Sequence, residues 1–204
     1  ALLWVGWFGF NAGSALAANQ NAAMAMLVTH ISAAAATITW MAIDWYKNGK
    51  PGLVGMITGM VAGLATVTPA SGYIGPVGGL ILGISSGIIC YWFVGFIKNV
   101  MNIDDSLDVF GIHGLVGAFG AIATGIFANP LVNKGNAGLL YGNPEQVWIQ
   151  LQSVIYVSLY SAIATYIIYK LISLFFGTGR ISDQVESEGM DMAYHGEKGF
   201  DISD

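Results

Sequence analysis

The residue in the least ordinary setting is His113, in the run Asp108-Val109-Phe110-Gly111-Ile112-His113-Gly114. It falls inside an apolar segment that starts near residue 106. That predicts an imidazole about 10 Å along a buried helix. An ionisable side chain at such depth points to function. Burial disfavours the charged ring, and a neutral imidazole offers one hydrogen-bond donor and one acceptor. That chemistry suits a small neutral polar solute or a proton relay. It also suits a structural hydrogen bond between helices. Asp108 lies about 140° around the helix from His113. At the helix start its carboxylate is expected to cap free N–H groups and to complement the dipole. Val109, four residues before His113, shares its face.

A second group opens the chain. Trp7, Phe10, Asn11 and Ser14 fall on one helical face by i+3 and i+4 spacing. An aromatic face can hold a cation through the ring quadrupole, and a neighbouring hydroxyl can accept a hydrogen bond from it. The alternative is an interfacial aromatic belt with ordinary packing. His30, beside Thr29 and Ser32, reads as a hydrogen-bonded histidine between helices, and His195 as a solvated one. Cys90 stands alone in an apolar run and reads as a small buried hydrophobe. Neither paired Cys-x-x-Cys ligands, His-Glu-x-x-His, a phosphate-binding loop nor a nucleophile elbow occurs, so nothing supports covalent or metal catalysis, and no cofactor is expected.

The elements that would carry these groups are membrane helices. Of 204 residues, 55% are hydrophobic and 9% charged, with 28 glycines and a mean hydropathy of +0.64. A soluble domain carries about 25% charged residues. Six apolar segments are readable, at about 1–18, 22–45, 51–67, 74–97, 106–128 and 145–176. A helical span takes about 20 such residues, and strand-type alternation is absent from all six. The expected fold is therefore all-α, a polytopic transmembrane bundle over residues 1–177. The first segment opens inside an apolar run at Ala1-Leu2-Leu3-Trp4, with no Met, basic region or cleavage site, so upstream sequence is expected.

Charge gives an orientation. Residues 1–177 balance five lysines against five acids, while residues 178–204 hold Arg180 and Lys198 against seven acids, the whole net charge of −5. With the first segment running outward, Lys47, Lys50, Lys98, Lys170 and Arg180 collect inside and only Lys134 outside. The positive-inside rule then predicts a cytoplasmic acidic tail at 178–204. Glycines recur every four residues at Gly55, Gly59 and Gly63 and at Gly75, Gly79, Gly83 and Gly87, and every three at Gly111, Gly114 and Gly117. Such stripes predict closely packed helices.

Four motifs in order carry a family resemblance. They are Gly6-Trp7-Phe8-Gly9-Phe10-Asn11-Ala12-Gly13-Ser14, Thr68-Pro69-Ala70-Ser71-Gly72-Tyr73-Ile74, Asp104 through Gly114, and Glu188-Gly189-Met190-Asp191 with His195-Gly196-Glu197. Together they resemble the Amt/Mep/Rh ammonium transporters, the Amt branch in particular, over essentially the whole chain. The resemblance implies helices six to eleven of an eleven-helix inverted-repeat fold, one pore per protomer of a homotrimer, and an inner or plasma membrane location. It implies that Phe10 is one of two stacked pore-mouth phenylalanines and that Ser14 supplies the hydroxyl of an external ammonium site. Trp7 and Val109 would line the pore, and His113 would be the second of two pore histidines. Ammonium would be bound outside, deprotonated, and passed as ammonia. Gly189, Asp191, His195 and Gly196 would form a regulatory tail whose partner is a PII-type signalling protein. The family's partner phenylalanine, outer tryptophan, first pore histidine and structural aspartate belong to its N-terminal half and do not occur here. Two further readings are an ammonium sensor and a half-transporter inactive without that N-terminal half.

Overall fold

The structure, a computed structural model, describes residues 1–197. The last part of the expected tail, 198–204, lies outside them. The helices are α1 (Leu2–Gly13), α2 (Gln20–Asn48), α3 (Leu53–Val67), α4 (Pro76–Asn99), α5 (Val116–Phe127), α6 (Glu145–Phe176) and α7 (Asp183–Glu188). A 3₁₀ turn at Thr68–Ala70 extends α3, and a π-helical turn at Phe110–Leu115 leads into α5. Among the described residues, five stretches are long and apolar enough to cross a membrane: Gln20–Asn48, Leu53–Ala70, Pro76–Asn99, Phe110–Phe127 and Glu145–Phe176. The expected helical membrane bundle is the fold observed. The chain divides into two compact units, Ala1–Tyr156 and Val157–Asp204, with the division inside α6.

Local chemistry explains most boundaries. Asn19 caps α2, its Oδ1 accepting from the Ala22 N–H at 3.0 Å, and Gly49 ends the helix at φ 74°. That left-handed conformation is a glycine's natural C-terminal stop. Pro76 stands at the first position of α4, where the missing N–H costs nothing. Two boundaries differ from the sequence reading. The first helix ends at Gly13 rather than near 18, because Leu16 takes a left-handed φ of 54° before Asn19 starts the next helix. The fifth begins at Phe110 rather than near 106, because Asp108 sits at φ 56°.

In the first unit α2 packs between α3 and α4, and the glycine stripes let it do so. A Cβ on Gly63 would come 2.5 Å from the Ser32 carbonyl oxygen, and one on Gly83 would meet the same oxygen at 2.5 Å. Gly59 faces Trp40 in the same way, and Gly87 faces Thr39. Backbones that approach this closely admit no side chain. The Ser32 hydroxyl also donates to the Gly63 carbonyl at 2.8 Å. Gly75 and Gly117 meet nothing within 4 Å, so those two do not belong to the contact stripes. The core holds Val28, Leu64, Val67, Ile74, Leu82, Val116 and the free Cys90, each fully or almost fully buried. Asn129 N–H donates to the Tyr73 carbonyl at 2.8 Å and Asn133 Nδ2 to the Gly72 carbonyl at 3.1 Å, so the loop after α5 is latched to the α3–α4 junction.

The second unit contains the end of α6 and a short ordered tail. Tyr169 donates to the Thr178 carbonyl at 3.0 Å, and Ser182 caps α7 by accepting from Val185 N–H at 3.4 Å. Arg180 lies 3.9 Å from Asp183 and 3.7 Å from Glu186. A π-helical turn, Asp191–His195, follows.

Candidate functional site

The site is built on α1. Two side chains of this helix tie it to its neighbours. Trp7 Nε1 donates to Thr68 Oγ1 at 2.7 Å, and that hydroxyl in turn donates to the Leu64 carbonyl at 2.7 Å. Buried Asn11 donates through Nδ2 to Thr29 Oγ1 at 2.9 Å. An indole N–H and an amide taken out of water each need such a partner. The helix is thereby fixed in rotation, and the rest of its aromatic face is aimed.

What it is aimed at is His113. The Trp7 indole and the His113 imidazole stack at 6.4 Å between centroids, 8° from parallel. Phe10 meets Trp7 edge-on, 6.0 Å between centroids and 70° between planes. Phe10 is 63% exposed, and His113 and Val109 are exposed as well. The structure thus assembles Trp7, Phe10 and His113 into one strip on an open face of the first unit. Val109 precedes His113 at the start of the same turn. His113 stands nearer the start of its helix than the sequence predicts. Because the helix begins after Asp108, the imidazole lies in the first turn, on the surface of this chain.

Asp108 is corrected too. Its carboxylate does not cap the following N–H groups; it pairs with Lys98 Nζ at 2.7 Å. The cap is Asp105, which accepts from Val109 N–H at 2.7 Å and Phe110 N–H at 2.9 Å. Both carboxylates precede the same turn; Asp105 meets its amides, and Asp108, at φ 56°, meets α4.

Ser14 stands apart from the stack, two turns along α1. Its hydroxyl donates to the Phe10 carbonyl at 2.7 Å, which leaves the oxygen lone pairs free to accept. It borders a recess of about 190 Å³ together with Asn11, Thr68, Ser71, Tyr73 and Asn133. The recess has neutral oxygens and amides around it, suited to water or a small cation. His30 contradicts its expected interhelical hydrogen bond: it is exposed, with Trp4 at 5.2 Å and Phe8 at 6.0 Å from its ring, and among the described residues it has no hydrogen bond.

In the second unit Gly189 and Gly196 take φ of 89° and 67°. They bracket the turn that holds Asp191 and His195, both exposed. A left-handed backbone at both ends explains why these two positions are glycine.

Thr68, Thr29, Asp105 and Lys98 were not singled out from sequence. The demand of a buried indole for an acceptor could have pointed to a threonine, but not to which one. Asp105, three residues before Asp108, carried a capping signal as strong as its neighbour's.

Residues 1–200 match the model of the Ammonium Transporter Family. The chain is 46% identical over 201 residues to an ammonium transporter of Aquifex aeolicus, covering 98% of this chain and 47% of that protein. It is 47% identical over 200 residues to ammonium transporter Amt1 of Archaeoglobus fulgidus, covering 98% and 50%. Its fold is similar to the crystal structure of Saccharomyces cerevisiae Mep2, with a TM-score of 0.83, 33% identity, and 89% of this chain against 42% of that one. The chain spans about half the length of the curated relatives it matches.

Proposed function

The chain belongs to the ammonium transporter family, and from that premise we propose that it contributes the C-terminal half of a conduction path for ammonium. The observation that carries the proposal is the Trp7–His113 stack with Phe10 against it. Apolar rings exclude water and bare ions, and the strip carries a single imidazole.

The chemistry follows from solvation. Ammonium is held at the outer mouth by the face of Phe10 and the lone pairs of Ser14. An unsolvated cation in an apolar passage costs many kcal/mol. Ammonium escapes that cost by giving one proton to water at the mouth. The ammonia that remains is neutral, and it travels along Trp7 and Val109 while hydrogen-bonding to neutral His113. Potassium has a similar size but no proton to give, so it stays outside. In this reading the path runs through each protomer of a homotrimer in the inner or plasma membrane. The tail is cytoplasmic, and Gly189, Asp191, His195 and Gly196 meet a PII-type signalling protein.

The test is His113→Ala in the full-length protein, reconstituted in proteoliposomes and assayed for ammonium uptake with potassium as competitor. Loss of uptake or of selectivity is expected, with His30→Ala as the unaffected control. Unchanged uptake and unchanged selectivity would overturn the role of His113.

A further inference from the structure

The turn that presents His113 is held from one side by α4. Val94 and Lys98 are four residues apart on that helix and share a face. At Val94 the backbone of the turn comes so close that a Cβ on Gly111 would lie 2.8 Å from Val94 Cγ2. At Lys98 the ammonium reaches Asp108 at 2.7 Å, where the Asp108 side chain is only 17% exposed. Asp108 is itself in the left-handed region, at φ 56°, which a residue with a Cβ adopts at a cost unless its surroundings hold it there. Immediately after it the chain enters the π-helical turn Phe110–Leu115, and the Ile112 N–H donates to the Asp108 carbonyl at 2.8 Å. The direction in which the turn leaves Asp108 decides where the imidazole five residues later is aimed.

From this we infer that Lys98 is a positioning residue for His113, acting through Asp108. The ammonium holds the Asp108 carboxylate against α4, the held carboxylate keeps the backbone left-handed, and the left-handed backbone sets the turn so that the imidazole meets the Trp7 indole nearly parallel. Lys98 touches neither ring. The functional consequence, a loss of conduction when Lys98 is changed, rests on the reading of His113 given above; the positioning itself does not.

A spectroscopic readout separates the two. In a protein labelled on histidine, the ring signals of His30, His113 and His195 are assigned by single replacement of each with glutamine. The full-length protein in lipid nanodiscs would be compared with its Lys98→Met, Lys98→Arg and Asp108→Asn variants. Asparagine is as compatible with a left-handed backbone as aspartate, so Asp108→Asn removes the charge that Lys98 holds without adding a strain of its own. In Lys98→Met the His113 signals are expected to lose the displacement caused by the indole ring current, with His30 and His195 unmoved. Lys98→Arg should restore them, and Asp108→Asn should behave as Lys98→Met. An unmoved His113 in Lys98→Met overturns the proposal, as does a general shift of all three histidines. If His113 moves while ammonium uptake does not change, the positioning stands and the conduction role of His113 fails.

Discussion

The indole of Trp7 and the imidazole of His113, from the first and fifth helical stretches, lie 8° from parallel at 6.4 Å. Neither ring is placed by the stack alone. Trp7 is oriented by the hydrogen bond to Thr68, and His113 by the turn that begins at Asp108. The geometry therefore depends on polar groups away from the rings, and it can be loosened without touching either.

The first prediction follows from that. Thr68→Val keeps the shape of the side chain and removes the acceptor, leaving the Trp7 N–H unpaired. A lost neutral hydrogen bond with one partner left behind costs about 1–3 kcal/mol. A fall in melting temperature of the detergent-solubilised protein is expected. Trp7→Phe removes the donor as well, so the double variant should cost less than the sum of the two single changes. Additive losses would show that the 2.7 Å bond contributes nothing.

The parts that were legible in sequence and those that were not divide along physical lines. Helix α6 was expected at 145–176 and lies at Glu145–Phe176, because a long apolar run bounded by Asn143-Pro144 and Gly177 has few alternatives. The contact glycines of α3 and α4 were legible for a similar reason, since spacing and smallness are both written in the sequence. The start of the His113 turn was not. Hydropathy reports which residues avoid water, and the left-handed backbone at Asp108 leaves no mark in it. Nor does residue type say which of two neighbouring carboxylates meets the amides and which meets Lys98. For Trp7, Phe10 and His113 the resemblance suggested a common role, but only the packing of α1 shows Phe10 meeting Trp7 rather than His113.

Alanine at the glycine stripes should have graded effects. At Gly63 and Gly83 the new methyl would fall 2.5 Å from the Ser32 carbonyl oxygen, which backbone cannot easily yield. At Gly79 the nearest atom is Val28 Cβ at 3.1 Å, a contact that a few tenths of an ångström relieves. Overpacking costs about 1–3 kcal/mol, while alanine gains about 0.5–1 kcal/mol over glycine in a helix interior. The melting temperature should therefore fall clearly for Gly63→Ala and Gly83→Ala and change little for Gly79→Ala. Equal losses at all three positions would contradict the packing described.

Ser14 and Phe10 should separate binding from stability. Ser14 is exposed, and its one hydrogen bond is to its own helix, so Ser14→Ala should leave the melting temperature nearly unchanged. If the hydroxyl accepts from ammonium, the same change should raise the ammonium concentration needed for half-maximal uptake. Phe10→Leu, which keeps bulk and removes the ring quadrupole, should do likewise. Uptake curves at several ammonium concentrations check both, and an unchanged half-saturation point in both variants would remove these residues from the outer site.

The last prediction distinguishes Asp105 from Asp108. Asp105 accepts two backbone N–H groups, from Val109 and Phe110. Asp105→Ala leaves both without that partner and should cost about 0.5–2 kcal/mol, the usual range for a lost helix cap. Asp105→Asn keeps one carbonyl oxygen and should cost less. For Asp108 the ranking depends on the backbone instead. Asp108→Ala loses the pair with Lys98 and also puts a plain methyl side chain at φ 56°, whereas Asp108→Gly loses the pair but relieves the conformation. Glycine should therefore be better tolerated than alanine at position 108, and the reverse is not expected at 105, where alanine and glycine alike lack the carboxylate. Melting temperatures of the four variants decide the matter: if alanine equals glycine at 108 while Asp105→Ala is silent, then Asp108, not Asp105, is the capping residue.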